Sequence, residues 1–518
     1  MLQPTLQPTF QASLSAPTTA LPRAGTAPLG RGRAPWTALL LASATALLGC
    51  GAEPEGPRSR VAMEPCFVPG VRAPAKCGTV SVPEDPAAPS GRKIELQVVV
   101  LPALASAPEP DPVFFLAGGP GQAATQIAGF AIGAADRLRE RRDFVFVDQR
   151  GTGHSNGLFC EALPEDAPLA DHFQSEFDPA DVAWCRDRQD ADLRMYTTNL
   201  AMDDLDVVRD ALGYTKINLW GVSYGTRAAL AYLRQHGDHA RSAVLDSVAP
   251  MSLYLPLSLA KDAERALDRT FEDCAKEAAC NKAFPDLRSR FHTFVAGLDA
   301  EPLRARVSHP VTGAREEVVI DRRAFLGALR GFLYSADLAS LVPLALDRAM
   351  AGEPGTFVTM AREMASGVDR TMAMGMFLSV VCSEDIPFIA PGDMEREAAG
   401  TLFGPDAALE IARACTLWPK VDVPRTFRDP VESDVPVLLL SGDLDPVTPP
   451  RWAEEATGTL RRSKSVVFTG TGHNAAVTAC ARRIAASFVS GGTEQKLDTT
   501  CAGEIPRPRF FATFAGAP

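Results

Sequence analysis

The chain has 518 residues, 46% hydrophobic and 22% charged, with a net charge of −11. At roughly 100–200 residues per domain it holds two to four domains, or one large α/β domain with insertions. The first 49 residues carry three Arg and no acid, so the remainder stands at −14, and an acidic body without basic runs argues against nucleic acid as a partner.

Residues 1–49 read as an export signal. Arg31 and Arg33 precede an apolar run of 13 residues from Trp36 to Leu48. That is too short for a bilayer, which takes about 20 residues, and is sized for a signal h-region. The run ends in Leu47-Leu48-Gly49-Cys50, which resembles a bacterial lipobox with Cys50 lipidated. The alternative is a plain secretory signal cleaved nearby. Either way the protein is expected outside the cytoplasm, touching a membrane only through an anchor at Cys50. Of the 11 Cys, ten remain without Cys50, an even number that permits five bridges in an oxidising compartment. Short spacings suggest Cys66–Cys77, Cys160–Cys185 and Cys274–Cys280; connectivity stays open for Cys382, Cys415, Cys480 and Cys501. There is no CxxC and no Cys/His cluster, so structural zinc is not expected.

Residues 50–62 form a short tether. Strands are expected in "TVSVPED" and "IELQVVVLPA", separated by the turn-rich "PAAPSGR". "DPVFFLAGGPG" and "DFVFVDQRGTGHS" each run from an apolar strand into a loop. "LAMDDLDVVRDALGY" places Leu205, Val208 and Leu212 on one helical face. "INLWGVSYG" is a strand, "TRAALAYLRQHG" a helix ended by Gly237, and "SAVLDSVAP" a strand. Near the end, "VPVLLLSGDLDP" and "SVVFTGTGH" are strands around "PRWAEEATGTL". Apolar β runs alternating with helices predict a mostly parallel, doubly wound sheet covered on both faces. Its two parts, 63–251 and 433–505, are interrupted by 252–432, a segment of helical patterns too long for a loop and read as an inserted helical cap. Residues 506–518 are left as a tail.

Within "GVSYG", Ser223 stands between Gly221 and Gly225 where a strand becomes a helix. This is the G-x-S-x-G nucleophile elbow: the serine takes a strained backbone so its hydroxyl projects, and its neighbours must be nearly bare. The helix N-terminus behind it favours developing negative charge. A serine hydroxyl needs a base and an orienting acid, which in this arrangement follow as Asp/Glu and then His. Of the seven His, His473 alone follows the last strand, in "FTGTGHN". "LLLSGDLDPVTPP" offers Asp443 and Asp445; Asp445, held extended by Pro446, is favoured. An oxyanion needs two backbone donors: Tyr224, after the nucleophile, and the loop 117–121 with Gly118.

Together "GGPG", "DQRGTGHS", "GVSYG", "GDLDPVTPP" and "GTGHN" resemble the proline iminopeptidase family of α/β hydrolases, and more closely its exported tripeptidyl-aminopeptidase branch with a TAP-like C-terminal segment. The resemblance spans roughly residues 64–505. It implies the α/β-hydrolase fold, a triad of Ser223, Asp445 and His473, oxyanion donors at Gly118 and Tyr224, and removal of short units from peptides with a free N-terminus. Ala117 stands where many relatives have His, which leaves the backbone donor in place. An aminopeptidase needs a carboxylate for the substrate ammonium. Relatives carry an acidic pair in the cap, which nominates Glu384 and, second, Asp385 in "SVVCSEDIPF"; the alternative is two solvated loop acids. Met372, Met374 and Met376 are expected in a helix core, against the alternative of an adaptable substrate wall. The loop 148–155, with Arg150 and His154, is expected to support the site. No metal or cofactor is needed. The competing readings are an esterase or amidase on the same triad, a non-catalytic anchored binding protein, and an enzyme of metabolite transfer or cyclisation.

Overall fold

The computed structural model describes residues 61–160, 163–174, 177–369 and 371–515. The expected export signal, Cys50 and nearly all of the expected tether lie outside the described residues. Among the described residues no helix is long and apolar enough to cross a membrane.

The strands are β1 (Glu64–Cys66), β2 (Ala75–Pro83), β3 (Lys93–Leu101), β4 (Val113–Leu116), β5 (Phe144–Val147), β6 (Ile217–Val222), β7 (Ala240–Asp246), β8 (Leu303–Ser308), β9 (Arg315–Ile320), β10 (Val437–Gly442) and β11 (Ser463–Phe468). Nine form one sheet in the order β1-β2-β3-β5-β4-β6-β7-β10-β11. β1, β2, β3 and β5 pair antiparallel in turn. From β5 to β11 every pairing is parallel. Parallel strands are buried on both faces, which is why β4, β6 and β10 are mostly apolar and buried throughout. Successive side chains alternate between two cores. Phe114 and Leu116 join the helices Thr198–Ala211 and Tyr224–His236 on one face. Val113 and Phe115 join Ala479–Gly491 on the other. Replacing Leu439, fully buried in β10, by Ala removes about 2–5 kcal/mol.

The chain leaves the sheet after β7 and returns at β10. Between them lie helices Leu259–Lys276, Leu287–Gly297, Arg322–Phe332, Val342–Met350, Gly355–Asp369, Met374–Glu384 and Asp406–Leu417. They build their own core, where Phe325 stacks on Phe357 at 4.1 Å. Two features differ from expectation. β8 and β9 form a separate antiparallel hairpin inside this helical segment. The expected tail is docked: Arg507 reaches Asp273 at 2.7 Å and Phe510 is only 1% exposed, in the cap core. Phe510 and the partly buried Phe511 beside it make a single short anchor, which leaves no periodicity from which to read this.

The ten cysteines sit in five pairs at bonding distance: Cys66–Cys77, Cys160–Cys185, Cys274–Cys280, Cys382–Cys415 and Cys480–Cys501. The first three are the short-spaced pairs.

Candidate active site

β6 ends in a turn at which Ser223 has φ 57° and ψ −124°. Non-glycine residues avoid this region because Cβ crowds the backbone. The turn closes only because its neighbours lack Cβ. A Cβ on Gly221 would lie 2.3 Å from the Gly225 carbonyl oxygen, and one on Gly225 2.1 Å from that of Leu116. Tyr224 opens the following helix directly after Ser223, so its N–H lies at the helix N-terminus.

Gly118 lies beside the elbow: a Cβ there would come 3.2 Å from Ser223 Cβ. Gly119 and Gly121 have φ 109° and 117°, and the Gly119–Pro120 peptide is cis. The loop is held from the cap, where Ala373 N–H donates to Gly121 O at 2.9 Å. Met372 lies against this loop, while Met376 is fully buried.

His473 Nδ1 and Asp445 Oδ2 are 2.8 Å apart. Asp445 is also the acceptor for Val447 N–H, Thr448 N–H and Thr448 Oγ1–H. Burial alone raises the Asp445 pKa; the His473 charge and these hydrogen bonds outweigh it and hold the carboxyl at about 2. Burial pulls the imidazole down, but Asp445 overcomes this and His473 ends above its ordinary value. Of the two candidate acids, Asp445 meets the imidazole. Asp443 instead lines a cavity of about 400 Å³ with Arg269, Asp273 and Arg507. Arg265, from the cap helix Leu259–Lys276, donates to the carbonyls of both Asp443 and Asp445.

β7 joins the two halves of the site. Asp246 O accepts the Ser223 N–H at 2.9 Å. The Asp246 carboxylate accepts the N–H groups of Ala475 and Ala476, just past His473. Ser247 Oγ accepts Asn474 N–H at 2.8 Å. Burial pushes the Asp246 carboxyl up to about 6 against these donors. Sequence reading missed Asp246, Ser247 and Thr448. The available signals were an acid at the carboxyl end of a parallel strand and a hydroxyl three residues after the candidate acid.

The 148–155 loop is a scaffold. Arg150 makes a bidentate pair with Asp204 and donates to the Glu84 and Met195 carbonyls. The Asp148 carboxylate accepts from Thr125 and His154.

The acid pair in the cap is buried against the helix that follows Ser223. Both residues are 0% exposed. Asp385 pairs with Arg227 and Arg428 and accepts Leu255 N–H. Burial raises its pKa, but the two guanidiniums win and hold it below the usual range. Glu384 accepts both the N–H and the hydroxyl of Thr198, each at 2.6 Å. Both acids are thus engaged inside the protein and are not solvated loop acids.

Asp206, His236 and His239 have metal-ligand spacing. They lie at the far end of the Ser223 helix, about 20 Å away by helix rise. Asp206 there is already bonded to Arg209, Tyr232 and His239.

A strained serine on an elbow, a buried imidazole–carboxylate pair and a glycine loop beside the serine define a serine hydrolase on a parallel sheet. Residues 111–289 match the model described as alpha/beta hydrolase fold, and residues 400–501 the model described as TAP-like protein. The chain is an α/β hydrolase by fold and carries a C-terminal TAP-like segment. It is 26% identical over 515 residues to Serine protease Hip1 of Mycobacterium tuberculosis, covering 90% of this chain and 97% of that one. It is 33% identical over 190 residues to Tripeptidyl aminopeptidase of Streptomyces lividans, covering 34% of this chain and 35% of that one. Carboxylesterase B of M. tuberculosis is 27% identical over 433 residues, covering 77% and 81%. Proline iminopeptidase of Mycobacterium smegmatis superposes with a TM-score of 0.40 at 18% identity, covering 80% and 98%.

Proposed function

We propose that this chain is an exported serine aminopeptidase that releases short N-terminal units, tripeptides or single residues such as Pro or Ala, from peptides. The observation that carries the hydrolytic step is the buried His473–Asp445 contact at 2.8 Å, tied through Asp246 to the Ser223 turn. Ser223 Oγ attacks the scissile carbonyl carbon while His473 takes its proton. Asp445 holds the tautomer and stabilises the imidazolium. The Gly118 and Tyr224 N–H groups donate to the oxyanion. The intermediate collapses as the C–N bond breaks, and His473 returns the proton to the leaving amine. Water then attacks the acyl-enzyme through the same base and frees Ser223. The peptide substrate and free N-terminus are suggested by the tripeptidyl aminopeptidase and serine protease relatives. Export is supported by five cysteine pairs, which persist in oxidising compartments. Lipid attachment at Cys50 is the anchoring route proposed for it.

A second reading has its own support. The carboxylesterase relative covers 77% of the chain, and the expected ammonium-binding acids are buried. An esterase would use the same triad on small esters. The deciding assay uses protein beginning after Cys50, with Ser223→Ala beside it, on Ala-, Pro- and Ala-Ala-Pro-nitroanilides, free and N-acetylated, and on an aryl ester. Cleavage of free peptides alone, lost in the variant, establishes the aminopeptidase. Silence on every peptide with ester hydrolysis intact establishes the esterase.

A further inference from the structure

Glu384 and Asp385 end the cap helix Met374–Glu384, and both face the helix that opens at Tyr224. The side chains between them and that helix form one connected set. Glu384 Oε2 accepts the Thr198 hydroxyl at 2.6 Å, and Thr198 Oγ1 lies 2.7 Å from the Tyr224 hydroxyl. Burial pushes the Glu384 carboxyl up to about 7; with it ionised, the Thr198 proton is committed to the carboxylate and Thr198 accepts from Tyr224. The chain therefore runs in one sense, from Tyr224 O–H to Thr198 to Glu384. Glu384 Oε1 accepts Thr198 N–H at the first residue of the helix Thr198–Ala211. Three residues beyond Tyr224, Arg227 is held by Asp385 and by the Leu253 carbonyl. Thr198, Tyr224, Arg227, Glu384 and Asp385 are all buried. A charged chain of this kind inside a protein is stronger than the same bonds in water, and it fixes geometry.

We propose that Glu384 is a positioning residue for the hydrolytic reaction: acting through the Thr198 hydroxyl it fixes Tyr224, and with it the backbone N–H that stabilises the oxyanion, while Asp385 moors the same helix through Arg227. The pair is thus an internal brace on the oxyanion donor and takes no part in binding the substrate ammonium. This rests on the serine-hydrolase reading of Ser223. The Thr198 N–H and hydroxyl go to different oxygens of Glu384, so Glu384→Gln sets an NH2 donor against one of the two Thr198 donors. Phenylalanine at 224 and valine at 198 cut the chain at its other links. Serine at 198 keeps it.

The test measures kcat and KM for Glu384→Gln, Thr198→Val, Thr198→Ser and Tyr224→Phe on free and N-acetylated Ala-Ala-Pro-nitroanilide and on an aryl ester. A misaligned oxyanion donor lowers kcat, here by about tenfold, a fraction of the 10²–10³ lost when a donor is removed. KM and the preference for free over acetylated peptide stay unchanged in Glu384→Gln, Thr198→Val and Tyr224→Phe. Thr198→Ser retains wild-type kcat. Adding Glu384→Gln to Tyr224→Phe costs nothing further, since both break one chain. A raised KM with collapse of the free-amine preference in Glu384→Gln would overturn the proposal and restore ammonium binding. Wild-type kcat in Tyr224→Phe would overturn the route through Tyr224. If Glu384→Gln fails to fold, Thr198→Val against Thr198→Ser carries the test alone. If no peptide is cleaved, the aminopeptidase reading has failed, and the ester kcat values still decide the brace.

Discussion

The His473 N–H donates to the Tyr334 carbonyl at 2.8 Å, and the two rings meet edge to face at 5.2 Å. Tyr334 belongs to the cap, just past the helix Arg322–Phe332. The proposed general base is therefore held by the cap, through its backbone N–H and its ring, as well as by Asp445. An aromatic pair contributes about 0.5–1.5 kcal/mol, so Tyr334→Ala is expected to lower kcat by about two- to tenfold. Tyr334→Phe keeps the ring and stays near wild type. Steady-state kinetics on one substrate checks both. A fall in Tyr334→Phe equal to that in Tyr334→Ala would assign the effect to the hydroxyl.

Thr448 Oγ1 donates to Asp445 Oδ2 at 2.8 Å and lies 3.3 Å from His473 Nδ1. Thr448→Val removes one donor from a buried carboxylate and is expected to cost about 1–3 kcal/mol of its orientation. That is roughly a ten- to hundredfold loss of kcat, with KM little moved. Asp445→Asn presents the wrong tautomer and is expected to cost on the order of 10⁴. The two variants assayed side by side rank these contributions.

His473 is raised above its ordinary value because Asp445 outweighs burial. The base works only when neutral, so kcat/KM rises with pH, and its acid limb has a midpoint above the 6.5 of an ordinary histidine. Asp445→Asn removes the raising charge and moves that midpoint down. A limb centred at or below 6.5 in the wild type would show that burial dominates.

Burial holds the Asp246 carboxyl at about 6 in the folded protein, against 3.8 for an ordinary aspartate. The folded state binds this proton more tightly, so the contribution is complete below about pH 4 and lost as pH rises through about 6. Relative to Asp246→Asn, the wild type is expected to lose roughly 3 kcal/mol of stability across that interval. Denaturant midpoints of both proteins at pH 4 and pH 7 measure it.

The Cys382–Cys415 bridge ties the helix Met374–Glu384 to Asp406–Leu417, two residues before Glu384. Replacing both cysteines by Ala is expected to cost about 2–4 kcal/mol and to lower kcat along with Tm. The same change at Cys66–Cys77, between β1 and β2, lowers Tm and leaves kcat unchanged. Melting curves and kinetics of the two double variants separate stability from positioning.

The sheet was legible because β4, β6 and β10 are apolar runs that end in glycine-bearing loops, and burial on both faces demands that composition. The elbow and the order of Ser223, Asp445 and His473 were legible because strained turns restrict residue type locally. The Thr198 partner of Glu384 was not legible because it is 186 residues away, and an acid with a distant partner looks like any other acid. The same holds for Asp246, whose partners Ala475 and Ala476 contribute only backbone N–H groups. The β8–β9 hairpin escaped because six-residue strands inside a helical segment leave too short an alternation.

The cap touches every working part of the site. Arg265 holds the carbonyls around Asp445, the Tyr334 carbonyl holds the His473 N–H, Ala373 holds the Gly121 carbonyl, and Asp385 grips Arg227. The docked segment through Phe510 adds a strap from the chain's end. Loosening the cap would therefore disturb the backbone around Asp445, His473 and the glycine loop together, so the cap and the catalytic elements stand as one hydrogen-bonded unit.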